Sequence, residues 1–291
     1  MVAELAGLGY RSPMARSKPR PDVVRPPAKP APFDGAPPGA TRAARTPDPT
    51  THFGFRAVGE SEKAPLVRRV FDSVAERYDL MNDLMSLGVH RLWKRALLDR
   101  LRPRASASLL DIGGGTGDVA MLWREGGGGA ATVVDANPNM IAVGQKRAAE
   151  RGQNAGIAWM VGDAENLPCA DRSFDAATSA FCLRNVTRLE AALAEARRTL
   201  DFGGKFVVLE FSKMSLPGLS RLYDAWSFKV LPALGDKIAG DRAAYRYLAE
   251  SIRRFPPQAE FARLLAEAGF ERVGFHNLSG GIAALHWGWR L

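Results

Sequence analysis

A short glycine-rich stretch holds the clearest candidates for chemistry in this sequence. Residues 109–118 read Leu-Leu-Asp-Ile-Gly-Gly-Gly-Thr-Gly-Asp, an apolar run that leads into a turn. Glycines remove side chains where a ligand must approach the backbone, and a strand followed by such a turn is typical of sites for nucleoside-containing cofactors. We therefore expect Asp111, Gly113 and Gly115 to lie at a cofactor-binding site.

Two kinds of cofactor are compatible with this turn. Residues 115–120 satisfy a dinucleotide fingerprint, in which Asp135 would be the acid that binds a ribose. Asp111 favours S-adenosylmethionine instead, because a carboxylate inside the strand can organise the turn around a cationic ammonium group. Dinucleotide sites usually carry an apolar residue there. Asp135 does not discriminate, since a carboxylate can accept the ribose hydroxyls of either cofactor.

Further motifs follow this turn in a fixed order. A Gly-Asp-Ala tripeptide at 162–164 comes after a third apolar run, where Asp163 is placed to meet an adenine amine and Ala164 to pack on the ring edge. A Ser-Phe-Asp motif opens a fourth run at 173–175, and a glycine pair at 203–204 precedes a fifth. Each acid by itself is equally compatible with a helix cap or a solvated turn. Their order favours a methyltransferase that uses S-adenosylmethionine.

The elements that must position these residues alternate between strands and helices. Five apolar runs separated by helical segments are typical of a parallel sheet wrapped by helices, and they fall at 108–112, 131–135, 157–161, 174–180 and 205–211. The last two runs, 271–277 and 282–289, have no room for a crossover helix between them and should pair antiparallel. We predict an α/β fold of the class I methyltransferase type: a Rossmann-like, doubly wound sheet, mostly parallel, with an antiparallel final strand, N-terminal helices and a helical insertion.

Composition divides the chain into regions. Residues 1–49 hold 11 of the 19 prolines and are predicted to be a disordered Pro/Arg-rich extension. We interpret it as dispensable or as a misassigned start, with mitochondrial targeting as the minority interpretation. The methyltransferase domain is predicted over 50–291, with a helical cap insertion at about 214–256. Between 64 and 101 the apolar spacing is helical, and the stripe includes Val67, Phe71 and Leu92.

Charge and composition argue against several classes of protein. No run of about 18 uncharged apolar residues occurs, so we expect no membrane span. Of the net charge of +9, residues 1–50 carry +4 (8 basic, 4 acidic), which leaves +5 for the rest. This excess of positive charge is mild, and the basic residues do not form the stripe that a nucleic-acid-binding surface carries. Cys169 and Cys182 form no metal-type cluster, so we expect no metal site and a reducing compartment.

Longer motifs are more specific than the cofactor site. They resemble those of the UbiE-type ubiquinone and menaquinone biosynthesis C-methyltransferases, over about 50–291. The resemblance is carried by these segments: Thr51–Phe55; Tyr78–Asn82 with Ser86, His90 and Trp93; Leu183–Thr187; Leu209–Lys213; and Tyr245–Ile252. It implies methylation of a ring carbon of a polyprenylated quinol, either 2-polyprenyl-6-methoxy-1,4-benzoquinol or demethylmenaquinol.

The resemblance also assigns cofactor positions, and the chain departs from the family pattern in two places. The residues that fall on positions binding S-adenosylmethionine in that family are Thr116, Asp135, Asp163 and Ala164. The family often has a serine just before the phenylalanine of the fourth strand, where this chain has Ala180; Ser179, one residue earlier, should face the other way. Asp201 and Phe202 replace a usual Lys-Pro pair, for which we expect only a small effect on stability.

Three residues are candidates for catalysis. A quinol ring carbon becomes nucleophilic when the neighbouring hydroxyl loses its proton, so the site needs a base, directly or through water, and a group that stabilises the phenolate. Arg184 is predicted to stabilise the anion or orient a water, because arginine stays protonated in proteins. Tyr78 precedes a break in the helices that we predict to be a lid, and His90 is suited to proton transfer. The alternative interpretations are a structural salt bridge or cap for Arg184, a half-buried core aromatic for Tyr78, and a packed or capping group for His90.

Several alternatives stay open at this point. The leading hypothesis is a quinol C-methyltransferase peripheral to the inner membrane on the cytoplasmic side in a bacterium, with the mitochondrial matrix face as the minority interpretation. Possible partners are a quinone-biosynthesis protein assembly and a second copy of the chain in a homodimer. The competing hypotheses are a class I methyltransferase of another small molecule or RNA, and a scaffold that binds S-adenosylmethionine without catalysis.

Overall fold

The protein is described by a computed structural model that covers residues 48–74, 78–86, 88–214, 226, 233 and 241–291. The predicted extension at 1–49, apart from its last two residues, and most of the predicted insertion at 214–256 lie outside these ranges. For residues 74 and 78–80 the structure describes the backbone but not the side chains. The domain boundaries therefore stay predictions.

The described chain begins with a strand pair that the sequence analysis missed. Strands β1 (Thr50–Phe53) and β2 (Arg56–Gly59) pair antiparallel around Gly54, whose φ of 59° is readily adopted by glycine. Such short strands show too little alternation to stand out in a sequence. The predicted helices follow as α1 (Glu60–Val74), α2 (Tyr78–Ser86) and α3 (His90–Leu101). The predicted apolar stripe is wrong at Leu92, which is 59% exposed, because α3 turns Trp93 toward the core instead.

A seven-stranded mixed sheet follows these helices. Its strands β3 to β9 are, in chain order, Leu109–Ile112, Ala131–Asp135, Ile157–Val161, Phe174–Ala180, Leu200–Phe211, Glu271–Leu278 and Ala283–Trp289. The spatial order is β5-β4-β3-β6-β7-β9-β8. Strands β3 to β7 are parallel, and β9 lies between β7 and β8 and is antiparallel to both. The predicted fold class is confirmed, and β9 is the strand that reverses direction.

Helices and apolar clusters cover both faces of this sheet. In the described ranges, the remaining α-helices with assigned bounds are α4 (Asp118–Glu125), α5 (Pro138–Glu150), α6 (Leu189–Thr199), α7 (Arg242–Arg254) and α8 (Gln258–Glu267). Leu109 belongs to one buried cluster and Leu110 to the other, because successive side chains of a strand point to opposite faces. Within the described ranges, no helix has both the length and the apolar character that a membrane span requires.

The entry into α4 generates a prediction about stability. Gly117 has a φ of 74°, and a Cβ at this position would lie 2.3 Å from the Trp159 ring. We expect Gly117→Ala to lower the free energy of unfolding by about 3 kcal/mol, of which about 1 kcal/mol comes from the left-handed backbone and the rest from the clash.

Gly127→Ala is the matched control, since its φ is 82° and no atom lies within 4 Å of the added Cβ. It isolates the backbone contribution of about 1 kcal/mol. Urea denaturation measures both variants. Equal losses in the two variants would contradict the close packing of Gly117 on Trp159.

Candidate active site

A cavity of about 280 Å³ opens at the carboxyl edge of the parallel strands. Open α/β sheets bind ligands at this edge because the loops that follow neighbouring strands converge there. Most of the predicted cofactor residues line the cavity: Gly113, Gly115, Asp135, Asp163 and Ala164. Asp111 and Thr116 do not line it.

The glycine turn is packed directly against the loop that follows β6. Gly113 has a φ of 62°, and a Cβ on it would lie 2.0 Å from the Cys182 sulfur. No other residue fits there without moving the loop. The backbone N–H groups of Gly113 and Gly114 donate to the Val134 carbonyl at 2.7 and 3.2 Å, which fixes the turn to the end of β4.

Asp135 ends β4 with its carboxylate beside the turn. Its Oδ2 accepts the Gly115 N–H at 2.9 Å, and its Oδ1 accepts the Asn137 N–H at 2.8 Å. Burial raises the pKa of Asp135 to about 6, although both of these donors oppose the shift. A carboxylate has about four acceptor positions, so each oxygen keeps capacity for a further donor such as a hydroxyl.

Asp111 and Thr116 lie behind the turn, where they line a separate small cavity with Lys94 and Asp118. The Thr116 hydroxyl accepts a hydrogen bond from Arg147 at 3.0 Å. Asp111 is fully buried, and neither of its carboxylate oxygens has a hydrogen-bond partner in the described part of the chain. Burial raises the pKa of Asp111 to about 7. A cationic ligand near this orphaned carboxylate would offset the cost of burying it.

The loop after β5 is tied to the loop after β6 by Glu165. Asp163 Oδ1 accepts the Glu165 N–H at 2.9 Å, which shapes the turn that carries Asp163 and Ala164. Glu165 Oε1 in turn accepts the N–H groups of Thr187 at 2.6 Å and Arg188 at 3.0 Å. Sequence reasoning missed Glu165 because an acid in a polar turn gives no signal of a long-range contact.

Helix α1 covers the cavity. Four of its residues line the wall: Ala64, Val67, Arg68 and Phe71. The buried Lys63 donates to the Val186 carbonyl at 2.7 Å, and Asp72 Oδ1 accepts from the Asn137 side-chain amide at 2.9 Å. Tyr78, predicted to belong to a lid, starts the next helix, and its side chain lies outside what the structure describes. The helix seen over the cavity is therefore the one before Tyr78.

Arg184 forms a buried ion pair with Glu210. Its Nη1 lies 2.9 Å from Glu210 Oε2 and donates to the Phe181 carbonyl at 2.5 Å, and both charged side chains are 1% exposed. Glu210 also accepts the N–H groups of Arg184 and Phe211, at 3.3 and 3.1 Å. Burial raises the pKa of Glu210, although Arg184 opposes the shift. Nε and Nη2 of Arg184 have no hydrogen-bond partner among the described residues, so the guanidinium retains donors for another group.

His90 belongs to a different network, at the junction of α2 and α3. Its Nε2 lies 2.9 Å from Asp83 Oδ1, and its backbone N–H donates to Ser86 Oγ at 3.1 Å. Burial and the charge of Lys94 lower the pKa of His90, although Asp83 opposes the shift. The structure does not bring His90 to the cofactor-type cavity. These contacts fit its alternative interpretation as a packed structural group, and its catalytic role stays a prediction.

Asn185 and Tyr247 form a polar contact beside the cavity that sequence reasoning missed. The Tyr247 hydroxyl donates to Asn185 Oδ1 at 3.0 Å, and Asn185 lines the cavity. The Tyr247 ring stacks on Phe53, with centroids 4.1 Å apart, so the β1–β2 hairpin supports this contact. Burial raises the pKa of Tyr247. Both residues lie in segments that carried the family resemblance, which was the signal available in the sequence.

Ala180, the departure from the family pattern, faces the small cavity that Asp111 lines. Ser179 is fully buried and lies against Cys182, on the other side of β6. This placement follows the alternation of side chains along a strand. In the described ranges, no cluster of three or more His, Cys, Asp or Glu side chains could hold a metal ion.

Comparison with known proteins decides which family this arrangement belongs to. The profile of the ubiE/COQ5 methyltransferase family matches residues 57–290. The chain belongs to this family. A relative named ubiquinone/menaquinone biosynthesis C-methyltransferase UbiE, from Paracoccus denitrificans (strain Pd 1222), is 55% identical over 249 residues, which are 84% of this chain and 100% of the relative. Family membership confirms the prediction of a methyltransferase that uses S-adenosylmethionine.

Another relative is mitochondrial, and solved structures share the fold. The 2-methoxy-6-polyprenyl-1,4-benzoquinol methylase of Bos taurus is 46% identical over 276 residues, covering 83% of this chain and 84% of its own. A possible histamine N-methyltransferase of Thermotoga maritima, dependent on S-adenosylmethionine, superposes with a TM-score of 0.56 at 22% identity, over 77% of this chain and 100% of its own. The cyclase SpnF superposes with a TM-score of 0.51 at 23% identity, over 65% of this chain and 60% of its own. These two structures support the fold alone.

The orphaned carboxylate of Asp111 generates a prediction about pH. Because its pKa is raised to about 7 in the folded chain from an unfolded value of 3.8, the folded state holds a proton that the unfolded state releases. Stability should therefore fall as the pH rises from about 4 through about 7, by on the order of 4 kcal/mol from this group. Asp111→Asn removes this contribution and should flatten the dependence.

The measurement is the free energy of unfolding against pH, without cofactor. Asp99→Asn is the control, because Asp99 is exposed and its loss removes the same charge from the surface. If the Asp111→Asn protein keeps the full pH dependence of the unsubstituted protein, Asp111 is not the group responsible.

Proposed function

We propose that this protein transfers the methyl group of S-adenosylmethionine to a ring carbon of a polyprenylated quinol. The substrates are 2-polyprenyl-6-methoxy-1,4-benzoquinol, demethylmenaquinol or both. The observation that carries the proposal is the buried Arg184 guanidinium, which has donors that Glu210 leaves unused. Arg184 does not itself line the cofactor-type cavity, but its chain neighbours Cys182 and Asn185 do. The names of the bacterial and mitochondrial relatives support the quinol as substrate.

In this proposal, different residues of the cavity bind different parts of the cofactor. Asp135 accepts the ribose hydroxyls with the capacity that its two backbone contacts leave, and Asp163 accepts the adenine amine while Ala164 packs on the ring. Gly113 and Gly115 admit the amino-acid portion to the backbone of the turn. When bound, S-adenosylmethionine supplies a methyl group that its sulfonium already activates.

Asp111 and Thr116 have supporting roles in this proposal. Asp111 attracts the cofactor's ammonium group from behind the turn, since its carboxylate is buried without a partner among the described residues. Thr116 holds the turn through its contact with Arg147. Helix α1 excludes water from the bound cofactor, which strengthens these electrostatic interactions.

The remaining groups handle protons and charge. A base would take the proton of the quinol hydroxyl and pass it to water, and the adjacent ring carbon would then bond to the methyl group as its bond to the sulfonium breaks. The freed base would then take the ring proton, which restores the aromatic ring. Arg184 stabilises the phenolate that forms in the first step, as its two unsatisfied donors match a developing oxyanion. Tyr78 and His90 are the proposed bases; His90 does not line the cofactor-type cavity and would act through water.

The polyprenyl tail of the proposed substrate determines where in the cell the protein can meet that substrate. Its substrate is too apolar to leave a bilayer, so we place the enzyme at the periphery of the inner membrane, on the cytoplasmic side in a bacterium or on the matrix face in a mitochondrion. Arg253 and Arg254 at the end of α7 can meet anionic headgroups there. A quinone-biosynthesis assembly and a homodimer are proposed partners.

The proposed activity is tested by methyl transfer from labelled S-adenosylmethionine to a reduced prenyl benzoquinol and a reduced prenyl naphthoquinol. We expect a labelled product from at least one of them, and the pair of assays distinguishes the two ring types. An Ala180→Ser variant runs in parallel. If the protein binds the cofactor and methylates neither quinol while Ala180→Ser does, the chain is a scaffold whose departure at this position removed catalysis.

The role of Arg184 is tested by separating turnover from cofactor binding. Because removing Arg184 alone leaves Glu210 charged and buried, the variant is the double substitution Arg184→Gln with Glu210→Gln, which removes both charges together. We expect kcat to fall by about 100-fold or more, as for the loss of an oxyanion donor. The Kd of S-adenosylmethionine should stay nearly unchanged.

Glu210→Gln by itself is the companion variant. It keeps the guanidinium but weakens the contact that orients it, so kcat should fall to an intermediate value with the same cofactor Kd. Thermal unfolding of all variants controls for folding. An equal loss of turnover and cofactor affinity would assign Arg184 to the structure of the cavity and not to the quinol.

A further inference from the structure

A second cavity, of about 330 Å³, lies at the opposite edge of the sheet. It opens where β3 and β6 begin, whereas the cofactor-type cavity opens where they end. Its wall includes Arg102, Arg104, Asp175, Lys205 and Trp289, all in the described part of the chain. The two cavities share no lining residue.

Positive charge dominates this second cavity. Arg102 and Arg104 are exposed, and no described acid pairs with either side chain. Asp175 is the acid in the wall, and its Oδ2 already accepts the Ser108 N–H at 2.8 Å and the Ser108 hydroxyl at 2.9 Å. The described residues of the wall therefore set three cations, Arg102, Arg104 and Lys205, against the one carboxylate of Asp175.

Two tryptophan rings contact cations at this cavity: Arg100, which lies next to the wall, and Lys205, which belongs to it. The Arg100 guanidinium lies 3.5 Å from the centroid of the Trp287 ring, and the Lys205 ammonium lies 5.2 Å from that of Trp289. Lys205 Nζ also donates to the Arg100 carbonyl at 2.8 Å. Burial, followed by the charges of Arg100, Arg102 and Arg104, lowers the pKa of Lys205. The four cations thus repel one another, and a bound anion would relieve the repulsion.

The backbone adds a further sign of constraint. Arg102 caps α3 with a φ of 58°, a left-handed conformation that residues other than glycine rarely adopt. Its N–H donates to the Leu98 carbonyl at 2.8 Å, which holds the arginine at the mouth of the cavity. A glycine would fit this cap with less strain, so the sequence keeps an arginine side chain at a position whose backbone favours glycine.

We propose that this cavity binds a phosphate group, carried either by a soluble phosphate compound or by a phospholipid head. Several cations converge on this second cavity, and such a cluster suits a multiply charged anion better than a single carboxylate. Arginine side chains match phosphate oxygens through paired N–H donors. The site is separate from the cofactor cavity and does not depend on the proposed methyl transfer.

The test compares two charge-matched double variants with the unsubstituted protein. Arg102→Ala with Arg104→Ala removes the two exposed cations of the cavity. Lys146→Ala with Arg151→Ala is the control, because both residues are exposed on or just after α5 and neither lines the cavity. Thermal unfolding and the Kd of S-adenosylmethionine should be unchanged in both variants, since all four residues lie outside the cofactor cavity.

Binding is measured in two arms at low ionic strength. One arm titrates inorganic pyrophosphate by calorimetry. The other sediments the protein with phosphatidylcholine vesicles that contain or lack phosphatidylglycerol. We expect Arg102→Ala with Arg104→Ala to weaken binding by about 30-fold, since each basic residue near an anionic phosphate contributes roughly fivefold. The control should weaken it far less.

The outcomes separate the two sources of phosphate. Binding of pyrophosphate alone supports a soluble ligand, and binding of the phosphatidylglycerol vesicles alone, or of both probes, supports a headgroup site. Absence of binding in both arms overturns the proposal. An equal loss in the two double variants also overturns it, because the effect would then come from the overall charge of the surface and not from this cavity.

Discussion

The carboxyl edge of the sheet depends on the buried ion pair of Arg184 and Glu210. Breaking such a pair typically costs about 3 to 5 kcal/mol, because the remaining charge is left without compensation in the core. The pair binds the loop after β6 through the Phe181 carbonyl and the Arg184 N–H. That loop carries Cys182, which touches the glycine turn. The Arg184–Glu210 ion pair therefore positions the loop that forms part of the cavity wall, and it also fixes the orientation of the guanidinium.

Segments outside the sheet complete this edge. Helix α1 closes the cavity through contacts of Lys63 and Asp72, and the β1–β2 hairpin supports Tyr247 through Phe53. The sheet alone is shared with proteins of different chemistry, including a cyclase, so it leaves the reaction open. The family-specific segments are those that surround the edge, and they supply the shape and the charges that a particular substrate would meet.

The two edges of the sheet are electrostatically distinct. Buried carboxylates, Asp111 and Asp135, lie near the cofactor cavity, and burial raises the pKa of each. The other edge gathers cations around Trp287 and Trp289. Parallel strands separate these groups by the length of the sheet, which allows one edge to attract a cationic ligand and the other an anionic one without mutual neutralisation.

The sequence by itself determined the family and the sheet, with most strand limits correct to within one residue. The exception is β7, predicted to begin after the glycine pair at 203–204, which begins at Leu200 and contains that pair. The family and the sheet depend on local periodicity and on motifs read within one segment, such as the glycine turn with Asp111. Only the tertiary structure decided that Glu210 pairs with Arg184, that α1 covers the cavity, and that Thr116 turns toward Arg147. Those contacts join residues far apart in the chain, and a buried acid looks the same in a sequence as a solvated one until its partner is placed beside it.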